Sequence, residues 1–379
     1  MDCKKSDFNL DTSYTYLNCA YMSPQLNTVE KAGIEGVRRK RNPFKISAEL
    51  FFDETETLRK EYAKLINASE PRRIVVIPSV SYGMANVARN LPLSRGENII
   101  VADEQFPSNI YPWRSLADDK NAEIITVTPP AGPSRGKRWN EMILESINPK
   151  TKMVAIGNVH WADGTLFDLK QIRKRTRDVG AWLVIDGTQS VGALPIDVEE
   201  IEPDALICAG YKWLMGPYSI GLAYYGPAMD DGKPVEENWI NRYESENFAG
   251  LVNYSDRYQP GALRYEVGEH SNFILVPMML TAVKHLNEWG VENIQAYCRD
   301  LISKPVKQLR EAGFRIEDEN HRSAHLFGVR LSSHHNMEDI KKALETNHIL
   351  VSVRGDSIRV SPNVYNTQNE LRKFAETLV

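Results

Sequence analysis

Short apolar runs recur along the first two thirds of the chain, and turn-forming residues bound each of them. Continuous runs of this kind, rich in β-branched side chains, are typical of strands buried on both faces. The predicted strands cover residues 74–77, 99–101, 124–127, 153–156, 182–185, 205–208 and 220–225.

Helical spacing of apolar residues fills several of the intervals between these runs. It is clearest in residues 82–91, 139–147 and 169–179. Alternating strands and helices favour a largely parallel sheet with helices on both faces. The predicted fold class is therefore α/β, with a mostly parallel seven-stranded sheet.

The pattern changes after about residue 250, where two long helical patterns follow one another. They cover residues 272–289 and 292–312, and a smaller mixed unit comes next. Its predicted strands are 326–331, 349–353 and 358–360, and its predicted helices are 337–345 and 368–378. We expect a large α/β domain at 15–255 and, at 256–379, a connecting helix with a small α+β domain. Residues 1–14 are expected to pack on the small domain.

Composition narrows the class of protein. Lys and Arg total 46, Asp and Glu total 50, and the net charge is −4. These values are typical of a globular protein and argue against nucleic acid as the main partner.

The four cysteines, Cys3, Cys19, Cys208 and Cys298, lack the paired short spacings of a zinc site or a disulfide framework. The first ten residues carry charges where a signal peptide is apolar, and no run of about 20 apolar residues occurs. We expect a cytoplasmic protein without a metal site or a membrane segment.

An acid and an amine follow two of the predicted strands. Asp186 ends the run 182–185, and Lys212 comes just after the run 205–208. Ligands of open α/β sheets bind at the carboxyl ends of the strands, so both side chains are expected to face one crevice. Taken alone, Asp186 would be better interpreted as a helix N-cap and Lys212 as a surface charge.

Pyridoxal 5′-phosphate (PLP) needs these two groups. A lysine amine holds its aldehyde as a Schiff base, and an acid keeps its ring nitrogen protonated. Lys212 and Asp186 are the candidates, Gln189 is a candidate partner of the ring hydroxyl, and Tyr211 is a candidate donor to the phosphate.

The segments Asp186-Gly-Thr-Gln and Gly210-Tyr-Lys, in this order, resemble those of the class V aminotransferase family of fold-type I PLP enzymes. This family includes cysteine desulfurases and kynureninases. The resemblance runs from residues 16–24 to residues 359–367. It implies a homodimer with its active site at the interface.

The phosphate of PLP is expected where the run 74–77 turns through Pro78-Ser-Val-Ser into a helix that begins near Tyr82. Exposed amides and the helix dipole favour an anion there. Ser81 and the amide of Val80 are the candidates, and the alternative is that Ser81 only caps the helix.

The resemblance assigns further residues. Phe106 takes the position of the aromatic group that stacks on the PLP ring in the family. Desulfurases have His at this position, and kynureninase-like members have Phe. The alternative is that Phe106 is a core residue. Trp161 stands where many relatives have a small polar residue, and it is a substrate-side candidate together with Asn18.

Arg359 matches the arginine that binds the substrate α-carboxylate in the family, and arginine suits this task because its planar fork offers paired donors. Arg354 is a nearby alternative, and a surface arginine on an edge strand is the other interpretation. In the loop 264–272, His270, Ser271 or Asn272 is expected to contact the phosphate of the partner subunit or to cap the next helix.

The sequence indicates the cofactor more clearly than it indicates the reaction. Desulfurases carry a reactive cysteine shortly before the carboxylate-binding arginine, and residues 349–359 contain none. Cys208 and Cys298 are expected to be inert core residues, and only an unexpected position of Cys19 would restore that reaction. Transamination is the preferred function. A PLP-dependent lyase, an epimerase, a kynureninase-like hydrolase and a catalytically retired binding protein are the alternatives.

Overall fold

The computed structural model describes residues 1–132 and 134–379. The strands of the described chain are β1 Thr15–Tyr16, β2 Ile74–Ile77, β3 Asn98–Ala102, β4 Glu123–Val127, β5 Thr151–Gly157, β6 Trp182–Asp186, β7 Ala205–Ala209, β8 Gly221–Tyr225, β9 Phe327–Arg330, β10 Ile349–Leu350, β11 Ser352–Arg354 and β12 Ser357–Val360. The α-helices are α1 Asn27–Arg39, α2 Asp53–Leu65, α3 Val80–Asn90, α4 Tyr111–Lys120, α5 Arg135–Ser146, α6 Leu169–Val179, α7 Val198–Ile201, α8 Leu275–Trp289, α9 Val291–Glu311, α10 Met337–Thr346 and α11 Gln368–Leu378. Among the described helices, none has the length and apolarity needed to cross a bilayer.

The central sheet has seven strands in the order β2-β8-β7-β6-β5-β3-β4. Its pairs are parallel except for β8, which runs antiparallel to both of its neighbours. Alternate residues of β2 enter two separate apolar clusters, since Val76 belongs to one and Val75 and Ile77 to the other. Both faces are therefore covered, and the prediction of a mostly parallel seven-stranded sheet is confirmed.

Strand directions bring several chain segments to one edge of this sheet. Neighbours β6 and β7 are parallel, with Asp186 opposite Ile207. Strand β2 is antiparallel to β8, and so is β7, so β2 ends at the same edge. The segments that follow β2, β6 and β7 therefore meet there.

The C-terminal part contains a three-stranded antiparallel sheet in the order β11-β12-β9. Helices α9 and α11 pack beside it. The N-terminal segment contacts this part, because the Lys4 amide donates to the Val364 carbonyl at 2.8 Å and Lys5 pairs with Glu370 at 2.8 Å. The division at residue 255 stays a prediction.

The single strand predicted at 349–353 is wrong. The chain forms two short strands, of which β10 pairs in parallel with β1 and β11 pairs antiparallel with β12. The exchange of partner occurs at Val351. Strand β1 has only two residues, so no local sequence pattern predicted that it would pair with β10.

A buried ion pair holds α2 against β2. Arg59 and Glu266 form a salt bridge in which their side chains are 3% and 2% exposed. Arg59 Nε donates to the Ile74 carbonyl at 3.0 Å, and Glu266 Oε1 accepts the Val76 amide hydrogen at 3.0 Å. Burial raises the pKa of Glu266, and the charge of Arg59 opposes that rise. The pair therefore fixes the strand that leads into α3.

We expect Arg59→Met to lower the free energy of unfolding by about 3–5 kcal/mol, because it leaves the Glu266 carboxylate buried without a cation. Urea unfolding followed by circular dichroism measures the change. The control is Arg138→Met, whose side chain is 49% exposed and pairs with Glu145, so its loss should have a much smaller effect because solvent screens exposed ion pairs. Equal effects of the two substitutions would contradict the assigned role of the pair.

Candidate active site

A cavity of about 260 Å³ opens at the carboxyl edge of the central sheet. Predicted residues that line it are Val80, Ser81, Phe106, Trp161, Asp186, Gln189, Tyr211 and Lys212. Lining residues that the sequence reasoning missed are Pro78, Ser79, Ser108, Thr188, Ala209, Tyr218, Ser219 and Ile220. The loops after β2, β3, β5, β6 and β7 all contribute, as the strand-end rule predicts.

Lys212 lies in a tight loop directly after β7. The Met215 amide donates to the Lys212 carbonyl at 3.1 Å, and the Gly216 amide donates to the Gly210 carbonyl at 2.9 Å. A side chain at Gly210 would clash, since its Cβ would lie 2.5 Å from the Ile220 carbonyl oxygen. The loop is thus closed by backbone bonds and close packing, and it fixes where Lys212 emerges.

The amine of Lys212 is buried without an ionic partner. The residue is 6% exposed, and its Nζ lies 5.5 Å from the centroid of the Phe106 ring. No carboxylate of the described chain lies within 4.0 Å of it. Burial lowers the pKa of Lys212 to about 8; the charges of Arg359 and Arg354 act in the same direction, and Asp186 opposes them. A substantial neutral fraction near pH 8 makes this amine nucleophilic.

Asp186 presents a carboxylate to the same cavity. Its Oδ1 accepts the Thr188 amide hydrogen at 3.0 Å. Burial raises the pKa of Asp186, while the Thr188 hydrogen bonds and Lys212 oppose that rise. Within the described chain no cation lies within 4.0 Å of this carboxylate. A protonated pyridine nitrogen supplies the missing positive charge, so the Asp186–Lys212 arrangement fits PLP.

Gln189 is engaged by two neighbours. Its Oε1 accepts the Trp213 Nε1 hydrogen at 2.8 Å, and its Nε2 donates to the Ala20 carbonyl at 3.2 Å. Trp213 is fully buried and follows Lys212 directly, so this hydrogen bond anchors the lysine loop. The predicted contact of Gln189 with the ring hydroxyl stays a prediction.

Helix α3 points its N-terminus at the cavity. It begins at Val80, so the predicted start near Tyr82 is two residues late. The alternative that Ser81 caps the helix is wrong, because Ser79 Oγ accepts the Tyr82 amide hydrogen at 3.2 Å. Ser81 Oγ lies 2.9 Å from Ser79 Oγ. The amides of Val80 and Ser81 therefore face outward at the helix end, as an anion site requires.

Tyr211 completes the polar part of the cavity. Its ring packs against that of Tyr218, with centroids 4.6 Å apart. Burial raises the pKa of Tyr211 to about 12. Its hydroxyl therefore stays protonated at neutral pH and remains a donor for an anion.

Two aromatic rings form part of the cavity wall. Phe106 and Trp161 meet edge to face with centroids 5.5 Å apart, and Trp161 Nε1 donates to the Glu104 carbonyl at 2.6 Å. Phe106 is 38% exposed, so the alternative of a core residue is wrong. Its ring lies where an aromatic group would cover a cofactor attached to Lys212.

Arg359 lies behind Trp161 and does not line the cavity itself. It is 1% exposed on the middle strand β12, so the alternative of a surface residue on an edge strand is wrong. Its Nη1 donates to the Trp161 carbonyl at 3.0 Å, and its Nη2 donates to Ser352 Oγ at 3.3 Å. Ser352 Oγ in turn donates to Asn18 Oδ1 at 2.8 Å. Asn18 and Arg359 are thus linked, and their contact with substrate stays a prediction.

The loop predicted to reach the partner's phosphate lies outside the cavity. His270 is buried against Glu266 at 3.5 Å, and burial lowers its pKa to about 3. Ser271 is also buried. Asn272 Oδ1 accepts the amide hydrogens of Ile274 and Leu275 at 3.1 and 2.9 Å, so Asn272 caps α8. The contact across the dimer stays a prediction for all three residues.

The cysteines take no part in the cavity wall. Cys19, Cys208 and Cys298 are buried, and Cys3 is exposed. Burial raises the pKa of Cys19 to about 12. The described residues contain no cluster suited to a metal ion.

A second cavity, of about 420 Å³, lies beside α9 and is larger than the first. Arg299, Arg310 and Arg322 line it, but it lies away from the carboxyl ends of the central strands. The candidate site is therefore selected by its chemistry, the buried amine and the half-buried acid, and not by its size.

We expect the rate at which Lys212 of the apoprotein captures PLP to rise with pH and level off with a midpoint near pH 8, because only the neutral amine attacks an aldehyde. Stopped-flow absorbance measures this rate. Asp186→Asn should move the midpoint below 8, because it removes a negative charge that stabilises the ammonium form. A midpoint near the ordinary lysine value of about 10.4 would refute the environment described for Lys212.

Comparison with known proteins agrees with this geometry. The model of the family "Aminotransferase class-V" matches residues 41–374. The uncharacterised aminotransferase YcbU of Bacillus subtilis is 27% identical over 321 residues, which cover 84% of this chain and 82% of YcbU.

Two solved structures share the fold. The cysteine desulfurase CsdA of Escherichia coli aligns with a TM-score of 0.81 at 20% identity, over 98% of this chain and 96% of CsdA. A C-DES mutant with glycine covalently linked to the PLP cofactor aligns with a TM-score of 0.86 at 19% identity, over 99% and 98% of the two chains. This chain belongs to the class V aminotransferase family of fold-type I enzymes, and its cofactor is PLP.

Proposed function

We propose that this protein is an aminotransferase that acts on an amino acid. The observation that carries the proposal is the chemistry of the cavity wall. Among its described lining residues, Lys212 is the one amine, and Asp186 is the one carboxylate. Transamination needs one base that moves a proton between two carbons on the same face, and Lys212 supplies it.

Bound PLP withdraws electrons from the substrate attached to it. Asp186 would hold the ring nitrogen of bound PLP in its protonated form and so sustain this withdrawal. Lys212 would take the proton from the substrate α-carbon and return it on the same face. Arg359 is the proposed site of the α-carboxylate: it lies behind Trp161, and its buried Nε has no partner among the described residues.

Epimerisation needs a different set of acid and base groups in the cavity. It returns the proton to the opposite face of the α-carbon, which requires a second acid or base there. Burial raises the pKa of Tyr211 to about 12, so at neutral pH this residue is available as an acid and not as a base. Transamination is preferred because it needs only Lys212 to move the proton, whereas epimerisation needs this second group as well.

Desulfurisation needs a mobile thiol near the substrate sulfur. The segment 349–359 contains no cysteine. Cys19 is buried, and Asn363 Nδ2 donates to its sulfur at 3.3 Å. The similarity to CsdA supports the fold, and these residues argue against its reaction for this chain.

We expect an amino acid to convert the holoenzyme to its pyridoxamine form and a 2-oxo acid to restore it, each step followed by visible absorbance. Lys212→Ala is the control and should lose the conversion. Release of ammonia, pyruvate or sulfide would identify a lyase, racemised substrate an epimerase, and cleavage of kynurenine a hydrolase. A chain that never retains PLP would be a retired binding protein.

We also propose that the protein is a homodimer with the loop 264–272 at its interface. Phe273, directly after this loop, packs edge to face on Phe51 at 5.1 Å, and Phe51 contacts Phe248 at 5.4 Å. In the segment that follows, Val252 is 81% and Tyr254 is 98% exposed. An exposed apolar segment beside this loop is suited to contact a second copy.

We expect light scattering after size-exclusion chromatography to give twice the chain mass of 43.0 kDa. The double substitution Val252→Glu and Tyr254→Glu should shift the protein toward monomer, because it places charges in the interface. Val379→Glu, at an exposed apolar residue of the C-terminus, is the control. A wild-type monomer, or a double variant that stays dimeric, would contradict this interface.

A further inference from the structure

Two arginines converge on the aromatic wall of the cavity. Arg354 ends β11, and Arg359 lies on the adjacent strand β12. Their guanidinium carbons lie 5.4 and 5.8 Å from the centroid of the Trp161 ring. Trp161 lines the cavity, and both guanidinium groups lie against its ring, although neither arginine lines the cavity itself.

Neither arginine is neutralised by the protein. Within the described chain, no carboxylate lies within 4.0 Å of Arg354 or Arg359. The neighbouring arginines differ, since Arg330 pairs with Asp163 at 2.7 Å and Arg135 lies 3.5 Å from the same carboxylate. Asp163, the buried carboxylate of this region, is therefore committed to other cations.

The hydrogen bonds of the two arginines are also incomplete. Arg354 Nη1 donates to the Val353 carbonyl at 2.8 Å, but its Nε is buried and has no partner among the described residues. The Nε of Arg359 is likewise buried without a partner there. Unmatched buried donors carry a desolvation cost that a bound anion removes.

The side chains of the two arginines differ in the hydrogen bonds that fix them. Arg359 is fixed by the Trp161 carbonyl and Ser352, and its planar fork suffices for one carboxylate. The anion site for the cofactor phosphate lies at the N-terminus of α3. The charge of Arg354 is left for another negative group, and the cavity residue that it contacts is Trp161.

We propose that Arg354 binds a negatively charged group on the substrate side chain, so that the substrate is a dicarboxylic amino acid. The proposal rests on the proposed function, because it takes Arg359 as the site of the α-carboxylate. It makes Arg354 a specificity-determining residue.

The direct test compares an acidic amino acid with its neutral amide. We expect the wild-type holoenzyme to prefer glutamate or aspartate over glutamine or asparagine in kcat/KM by about 10- to 100-fold, as a hydrogen bond between two charged groups implies. Arg354→Met should lose this preference and change the amides by less than about threefold. Arg354→Lys should recover part of it. Arg315→Met, at an exposed arginine of the same C-terminal part, is the control.

A binding measurement separates this inference from the reaction type. Glutarate or succinate should bind the holoenzyme at least tenfold more tightly than butyrate in a spectral titration, and Arg354→Met should abolish the difference. If dicarboxylates bind more tightly in this Arg354-dependent way but no transamination occurs, the proposed function is wrong and the proposed role of Arg354 is supported. If wild type does not discriminate, or if Arg354→Met weakens dicarboxylates and monocarboxylates equally, the proposal is overturned.

Discussion

A buried amine beside a half-buried acid, each without an opposite charge within 4.0 Å in the described chain, is the constraint on which the site depends. Adjacent parallel strands β6 and β7 end at one edge, and Asp186 and Lys212 emerge there. A protein tolerates such groups when their pKa values shift, and burial lowers that of Lys212 to about 8. The arrangement is suited to a cationic aromatic ring that meets the acid and an aldehyde that meets the amine.

The sheet and the position of Asp186 and Lys212 at one cavity were predictable because both follow from local rules. Buried parallel strands read as continuous apolar runs, and ligands of such sheets lie beyond the carboxyl ends of the strands. These two rules suffice to place Asp186 and Lys212 at one crevice. The resemblance to a family added Phe106 and Trp161, which a chain pattern alone does not mark as cavity residues.

The parts that sequence reasoning missed depend on tertiary partners. Ser79 and Ser81 are both plausible caps by composition, and the extended backbone of Ser79 decides between them. The break between β10 and β11 depends on β1, which lies more than 300 residues away in the chain. Arg354 has no carboxylate partner in the described chain because Asp163 contacts Arg330 and Arg135 instead. No residue spacing in the sequence indicates these pairings.

The most direct test of the account is to treat the PLP-loaded protein with borohydride and map the modified peptide by mass spectrometry. The account predicts one phosphopyridoxyl group, located on Lys212. Modification of a different lysine, or of none in a protein that binds PLP stoichiometrically, would contradict it.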